Sequence, residues 1–240
     1  MANDVPADVN GHGDRMSGRT GRRSRAQGST RAEGSTRAEG ADHYFTASPA
    51  APARPALVTF LVEGREFRLR AAGGVFSAAR LDPGTAVLLR KAPLPGPSTE
   101  GALLDLGCGY GPIACVLATF APRTTVYAVD VNRRALELTR ANAHQLGVDV
   151  RACEPDEVPA DVRFAQIWSN PPIRIGKPAL HALLRQWLPR LAPGGVAWLV
   201  VARHLGGDSL AAWLGDEGYG VVRHASQQGF RVLRVTPAGP

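Results

Sequence analysis

Lysine is almost missing from this chain of 240 residues: Lys91 and Lys177 stand against 26 arginines. Cysteine is scarce too. Cys108, Cys115 and Cys153 are odd in number and form no CxxC pair. That argues against a disulfide framework or a zinc site and fits a reducing, cytoplasmic setting. The histidines show no ligand spacing, so no metal is expected. Long apolar runs are absent; the best is "VAWLVVA" at 196–202, far short of the ~20 residues of a membrane helix. The opening "MANDVPADVN" has neither the basic nor the apolar region of a signal peptide.

What is present is an ordinary globular share of apolar residues, 44%, and a formal charge of +7. The arginine excess has two readings. One is the codon usage of a GC-rich genome. The other is a phosphate-rich partner, because the guanidinium fork binds phosphate in a bidentate manner. The net positive charge leans toward nucleic acid.

Residues 1–41 are Gly, Ser, Arg and Ala with almost no large apolar side chain, and they carry a tandem "GSTRAE" at 28–33 and 34–39. Such a segment cannot bury enough surface to offset its ordering entropy, so it reads as a disordered tail. Its seven arginines, from Arg15 to Arg37, make it either an RNA-contacting arm or a plain solvated tail. From Leu57, "LVTFLV" and "REFRLR" flank "EG" and predict a β-hairpin. A glycine-containing loop and a helix from about Pro83 follow in "GGVFSAARLDPGTAVLL". Residues 42–97 are thus expected to form a hairpin and loop extension on the core.

Within 98–240 strand and helix patterns alternate. "ALLDLG", "TTVYAVD", "VDVRAC", "FAQIWSN" and "GVAWLVVAR" read as strands, and "YGVVRHAS" with "FRVLRVT" as a closing hairpin. "YGPIACVLATFA", "NRRALELTRANAHQLG", "KPALHALLRQWLPRLAPGG" and "DSLAAWLGDEG" read as helices. The pattern predicts an α/β fold: a Rossmann-like, doubly wound, mostly parallel seven-stranded sheet with helices on both faces.

The first strand of this unit runs into "DLGCGYGP" at 105–112. Gly107, Gly109 and Gly111 sit at a strand-to-helix turn, where glycine lets a ligand approach the backbone. The spacing G-x-G-x-G, behind the acid Asp105, departs from the G-x-G-x-x-G dinucleotide fingerprint and weakens a case for NAD. Asp130 ends the next strand, roughly 20 residues on, where an acid bonds ribose hydroxyls in nucleotide-binding folds. It could equally cap the helix that begins after it.

The end of the fourth strand, "IWSNPPIRIGK" at 167–177, has a second peculiarity. Pro171 and Pro172 lack backbone N–H groups and fix φ, and Pro171 pushes Asn170 toward extended geometry. An amide side chain is thereby held stiffly at a strand tip. A lone N-P-P would read as a strand terminator. Together with a glycine loop it falls at the carboxyl edge of the sheet, where ligands bind in open α/β folds.

"DLGCGYGP", the acid of "VYAVDVN" and "SNPPIRIGK" together resemble class I S-adenosylmethionine-dependent methyltransferases. More narrowly, the chain resembles the ribosomal RNA guanine-N2 methyltransferase-like small-domain family across about 42–236, including "DHYFTASP" and "QGFRVLRV". The resemblance implies S-adenosyl-L-methionine as cofactor and ribosomal RNA or a ribosomal subunit as partner. It makes residues 98–240 the cofactor-binding domain. Asp105, Gly107, Cys108, Gly109 and Gly111 would border the methionine end. Asp130 would bond the ribose, with Val131 or Asn132 beside the adenine, and Glu154 or Asp156 would reach the adenine amino group. Asn170, also near the cofactor, and Pro171 would accept the hydrogens of the target amine, with Pro172 stiffening the turn.

Many amine methyltransferases follow N-P-P with an aromatic residue that stacks on the target. Here Ile173 takes that place, leaving Phe76, Phe45 or Tyr44 as candidate substitutes. Arg174 and Lys177 are candidate phosphate contacts. A protein glutamine-N5 methyltransferase poses the same lone-pair problem and is the competing enzyme reading. A nucleotide-binding scaffold without catalysis is the third.

Overall fold

The computed structural model describes residues 55–73, 75 and 80–237. Segment 1–41, expected to be disordered, lies outside the described residues, as do Tyr44, Phe45 and Phe76 and the side chain of Arg174. The chain opens with the hairpin β1 (Pro55–Val62) and β2 (Arg65–Ala72), followed by helix α1 (Pro83–Lys91). Asp82 caps α1 by accepting from the Thr85 N–H, and Pro83 occupies the first turn, where its missing N–H costs nothing.

The alternating unit runs β3 (Ala102–Leu106), α2 (Pro112–Phe120), β4 (Val126–Val129), α3 (Arg133–Leu146), β5 (Val150–Cys153) and β6 (Phe164–Ser169). It continues with α4 (Lys177–Trp187), β7 (Leu191–Ala202), α5 (Gly207–Asp216), β8 (Gly220–Gln227) and β9 (Phe230–Thr236). The seven strands lie in the order β5-β4-β3-β6-β7-β9-β8. β3 to β7 are parallel, and β9 pairs antiparallel with both β7 and β8. This is the Rossmann-like arrangement the β–α alternation predicts. One boundary differs. The helix expected to run to Gly195 ends at Trp187, and β7 begins at Leu191. Pro189 cannot donate to the helical ladder, so the chain tightens into a 3₁₀ turn at Leu188–Arg190 before entering the sheet.

Two apolar clusters cover the two faces of the sheet: Leu103, Ile113, Val116 and Trp168 belong to one, Leu104, Ile167, Leu184 and Leu199 to the other. β3 and β4 are buried along nearly their whole length, as strands covered by helices on both sides must be. A third cluster joins the hairpin to the unit through Val58, Leu69, Tyr110 and Ala135. Buried Asn142 of α3 fastens that joint: its Oδ1 accepts from Arg70 N at 2.7 Å, and its Nδ2 donates to the carbonyls of Arg70 and Tyr110.

The register decides where the chemistry sits. Leu106 pairs with Val129, and Val129 with Cys153, so Gly107, Asp130 and Glu154 leave the sheet at one level. Trp168 pairs with Asp105, and Ser169 Oγ donates to Leu106 O at 2.7 Å, which brings Asn170 out at that level too. The chain steps from β3 outward to β4 and β5, then returns to the other side of β3 with β6. The crevice at such a reversal is where open α/β sheets bind ligands.

Candidate functional site

The glycine loop turns from β3 into α2 with three left-handed glycines, φ 77°, 57° and 85° at Gly107, Gly109 and Gly111. They do different work. A Cβ on Gly107 would meet nothing within 4 Å, and one on Gly109 would meet only Val75 Cγ1 at 4.0 Å. Those two leave the backbone open to a ligand. A Cβ on Gly111 would strike Thr139 at 2.8 Å, so this glycine is required by the close approach of α2 to α3. Cys108 turns its thiol inward against Thr139 Oγ1, at 3.6 Å, and is buried. Burial, with the charges of Asp130 and Asp105 adding, holds that thiol far above its ordinary pKa, so it is neutral and no nucleophile.

Asp105 is wholly buried beneath the loop. Its Oδ2 accepts from Ala114 N at 2.9 Å, tying β3 to the first turn of α2, while its Oδ1 has no partner among the described residues. Burial pushes its carboxyl to about 8; the Ala114 N–H pulls the other way and the Asp130 charge adds to the rise.

Asp130 accepts from Gly109 N through Oδ2 and from Asn132 N through Oδ1, both at 2.9 Å. Burial still raises its pKa, against those backbone bonds. The cap of α3 is Asn132, whose Oδ1 accepts from Arg134 N and Ala135 N. The capping explanation for Asp130 is thus taken by its neighbour. Val131 stands 43% exposed beside it. Glu154 ends β5 in a reciprocal cap with Glu157 and pairs with Arg133 Nε at 2.9 Å, and Asp156 is exposed in the same turn.

Asn170 lies at the end of β6. Its Nδ2 donates to Asp82 Oδ1 at 2.6 Å and to Thr85 Oγ1 at 3.0 Å, both at the start of α1. Its Oδ1 accepts no hydrogen bond among the described residues. Pro171 is buried, and its carbonyl accepts from Ile173 N at 2.8 Å, leaving one lone pair. Ile173 is half-buried against the second apolar cluster, and Lys177 opens α4 in solvent. Asp82, Thr85, Gly107, Gly109, Tyr110 and Asn170 line one cleft. The glycine loop and the N-P-P turn therefore share a cavity.

Asp82 and Thr85 are absent from the sequence-based reading. "DPGT" signals a helix start, but nothing in it names a partner 88 residues away. Tyr110 carries no such signal either; its hydroxyl is buried without a partner among the described residues, and burial raises its pKa with the Asp82 charge adding.

These features fit S-adenosylmethionine. The space over Gly107 admits a ligand, the paired acid Asp130 keeps acceptor capacity beyond its two bonds, and exposed Val131 offers an apolar face. The methyltransferase small-domain model matches residues 66–234. The chain belongs to that family and is an S-adenosylmethionine-dependent methyltransferase.

Among its relatives, Uncharacterized protein YbxB of Bacillus subtilis (strain 168) is 34% identical over 173 residues, 70% of this chain and 85% of that protein. Ribosomal RNA small subunit methyltransferase C of Pseudomonas aeruginosa (strain UCBPP-PA14) is 35% identical over 179 residues, 65% of this chain and 52% of that protein. The Aeromonas hydrophila protein of the same name is 37% identical over 127 residues, 52% of this chain and 36% of the relative. The chain thus spans about half or less of these methyltransferases. In fold it is similar to a T. thermophilus 16S rRNA N2 G1207 methyltransferase solved with AdoMet and guanosine: TM-score 0.66, 24% identity, 79% of this chain and 52% of that one.

Proposed function

We propose that the protein methylates the exocyclic amine of a guanine in ribosomal RNA. The observation that carries the reading is Asn170: its amide nitrogen is committed to Asp82 and Thr85, which leaves its oxygen as the acceptor in the cleft shared with the glycine loop. A guanine amine is a poor nucleophile because its lone pair is delocalised into the ring. Asn170 Oδ1 and the free lone pair of Pro171 O would accept its two hydrogens and turn the nitrogen lone pair out of conjugation. Both acceptors are fixed before substrate arrives, so neither reorganises during the reaction. Bound S-adenosylmethionine supplies an electrophilic methyl group. The site needs no strong base, since the methylated nitrogen loses its proton readily to water.

The residues assigned to the cofactor are Asp130 for the ribose, Val131 for the adenine and the Gly107–Gly109 backbone for the methionine end. Glu154, just past the end of β5, is the carboxylate assigned to the adenine amino group, and it also serves Arg133 and a cap. Ribosomal RNA as substrate extends to this chain what its relatives are named for, and guanine what its fold neighbour acts on. The net charge of +7 favours such a partner. A paired guanine hides its amine, so the target base is unpaired or flipped out. No described helix is long and apolar enough to cross a membrane, and a ribosomal substrate sets the work in the cytoplasm. Mapping methylated nucleotides by mass in ribosomal RNA from cells with and without the gene tests this reading. One N2-methylguanosine should disappear with the gene; an unchanged map would refute the assignment.

A further inference from the structure

We infer that Asp82 and Thr85 are positioning residues that set the direction and strength of the Asn170 acceptor; the inference rests on the proposed amine-orienting role of Asn170. The side-chain amide of Asn170 has two hydrogens. One goes to Asp82 Oδ1 at 2.6 Å and the other to Thr85 Oγ1 at 3.0 Å. Turning the amide over would press its oxygen against a carboxylate oxygen at that distance, which is repulsive. The contact therefore selects a single orientation, with the oxygen toward the cleft.

The same contact does electronic work. A carboxylate bonded to the amide nitrogen draws positive charge onto the N–H groups and pushes density onto Oδ1, which becomes a better acceptor. It also holds a negative charge one amide away from a target nitrogen that turns positive as it is methylated.

The sequence "DPGT" is built around this duty. Asp82 Oδ1 simultaneously accepts from Thr85 N at 2.9 Å and so caps α1. Gly84 leaves room for that oxygen: a Cβ there would stand 3.0 Å from Asp82 Oδ1 and 3.0 Å from Phe230 Cε1. Thr85 contributes both its backbone N–H to the cap and its hydroxyl to Asn170. The first helix, outside the alternating unit, is on this account part of the reaction machinery.

The test separates capping from positioning. Asp82→Ser keeps a good cap but is too short to reach Asn170. The full chain with this substitution should keep its thermal midpoint and cofactor affinity, and KM for ribosomal RNA should change little. Its kcat should fall about 10- to 100-fold, the effect of misplacing a reacting group by about 1 Å. Asp82→Asn retains an acceptor oxygen and should recover part of that loss. Thr85→Val keeps the backbone N–H and should lower kcat several-fold; it decides the matter if Asp82→Ser does not fold.

Nitrogen-15 spectra of the cofactor-free protein give a readout independent of activity. The two Asn170 amide protons should be widely separated in shift in the native chain and collapse together in Asp82→Ser. Folded Asp82→Ser with kcat within twofold of the native value and an unchanged Asn170 signal overturns the inference, provided Asn170→Ala is inactive. Full activity in Asn170→Ala would instead overturn the reading beneath it.

Discussion

Asp130 and Asn170 end neighbouring parts of one sheet edge but are held in opposite ways. Asp130 is fixed locally: both carboxylate oxygens accept backbone N–H groups, from Asn132 two residues on and from Gly109 of the adjacent loop. Asn170 is fixed at long range, by side chains of a helix that precedes it by more than 80 residues. Asp130 does not itself line the cleft, so the part of this edge assigned to the cofactor is a backbone device that any sequence keeping the loop retains. The part assigned to the reaction depends on two side chains and on the docking of α1.

The difference implies that substitutions in the two halves should separate binding from transfer. Asn170→Ala is expected to have the largest effect: cofactor titration stays near the native value while transfer at saturating substrate falls roughly 10²–10³-fold. A fall of less than about tenfold would erase the distinction between the halves.

Gly111→Ala comes next, and it acts on the fold. An alanine there takes a left-handed φ, about 1–2 kcal/mol, and overpacks against Thr139, about 1–3 kcal/mol more. Denaturant unfolding should therefore show a loss of about 2–5 kcal/mol, and Thr139→Ala in the same chain should restore part of it. Gly107→Ala meets no atom within 4 Å, so its stability cost should be the backbone part alone, with cofactor affinity reduced instead. Equal losses of stability at the two glycines would contradict the division of labour within the loop.

Asp130→Ala should weaken cofactor binding by about 1–3 kcal/mol, the cost of losing bonds to a charged acceptor, with kcat at saturation nearly kept. A folded variant with unchanged affinity would remove Asp130 from the site.

A further effect is one of pH. The Asp105 carboxyl is raised to about 8 in the folded chain by burial, while in the unfolded chain it titrates in the ordinary carboxylate range. Between those values the folded state holds more protons, so stability falls as pH rises across that window. Asp105→Asn should flatten this part of the midpoint-versus-pH curve. An identical curve for both proteins would show that Asp105 is ionised throughout.

The sequence made the locally fixed part of this edge legible because its cause is local. Three glycines after a buried strand specify a turn, and behind such a turn an acid roughly 20 residues on reads as a ribose ligand sooner than as a cap. The N-P-P turn was legible for the same reason, since two prolines stiffen the strand end whatever surrounds them. The partners of Asn170 were not, because periodicity reports which face of α1 is buried and not which side chain it meets. Likewise "LPRLAPGG" offers two prolines as stops, and periodicity does not say at which of them helix gives way to strand. The pairing of Leu191 with Phe164 decides it.

The most direct test of the central claim is to incubate the protein with methyl-labelled S-adenosylmethionine and unmodified ribosomal RNA, then digest to nucleosides and weigh them. The account predicts label in N2-methylguanosine, abolished by Asn170→Ala. Label in another nucleoside, in a protein glutamine of added ribosomal proteins, or nowhere would contradict it.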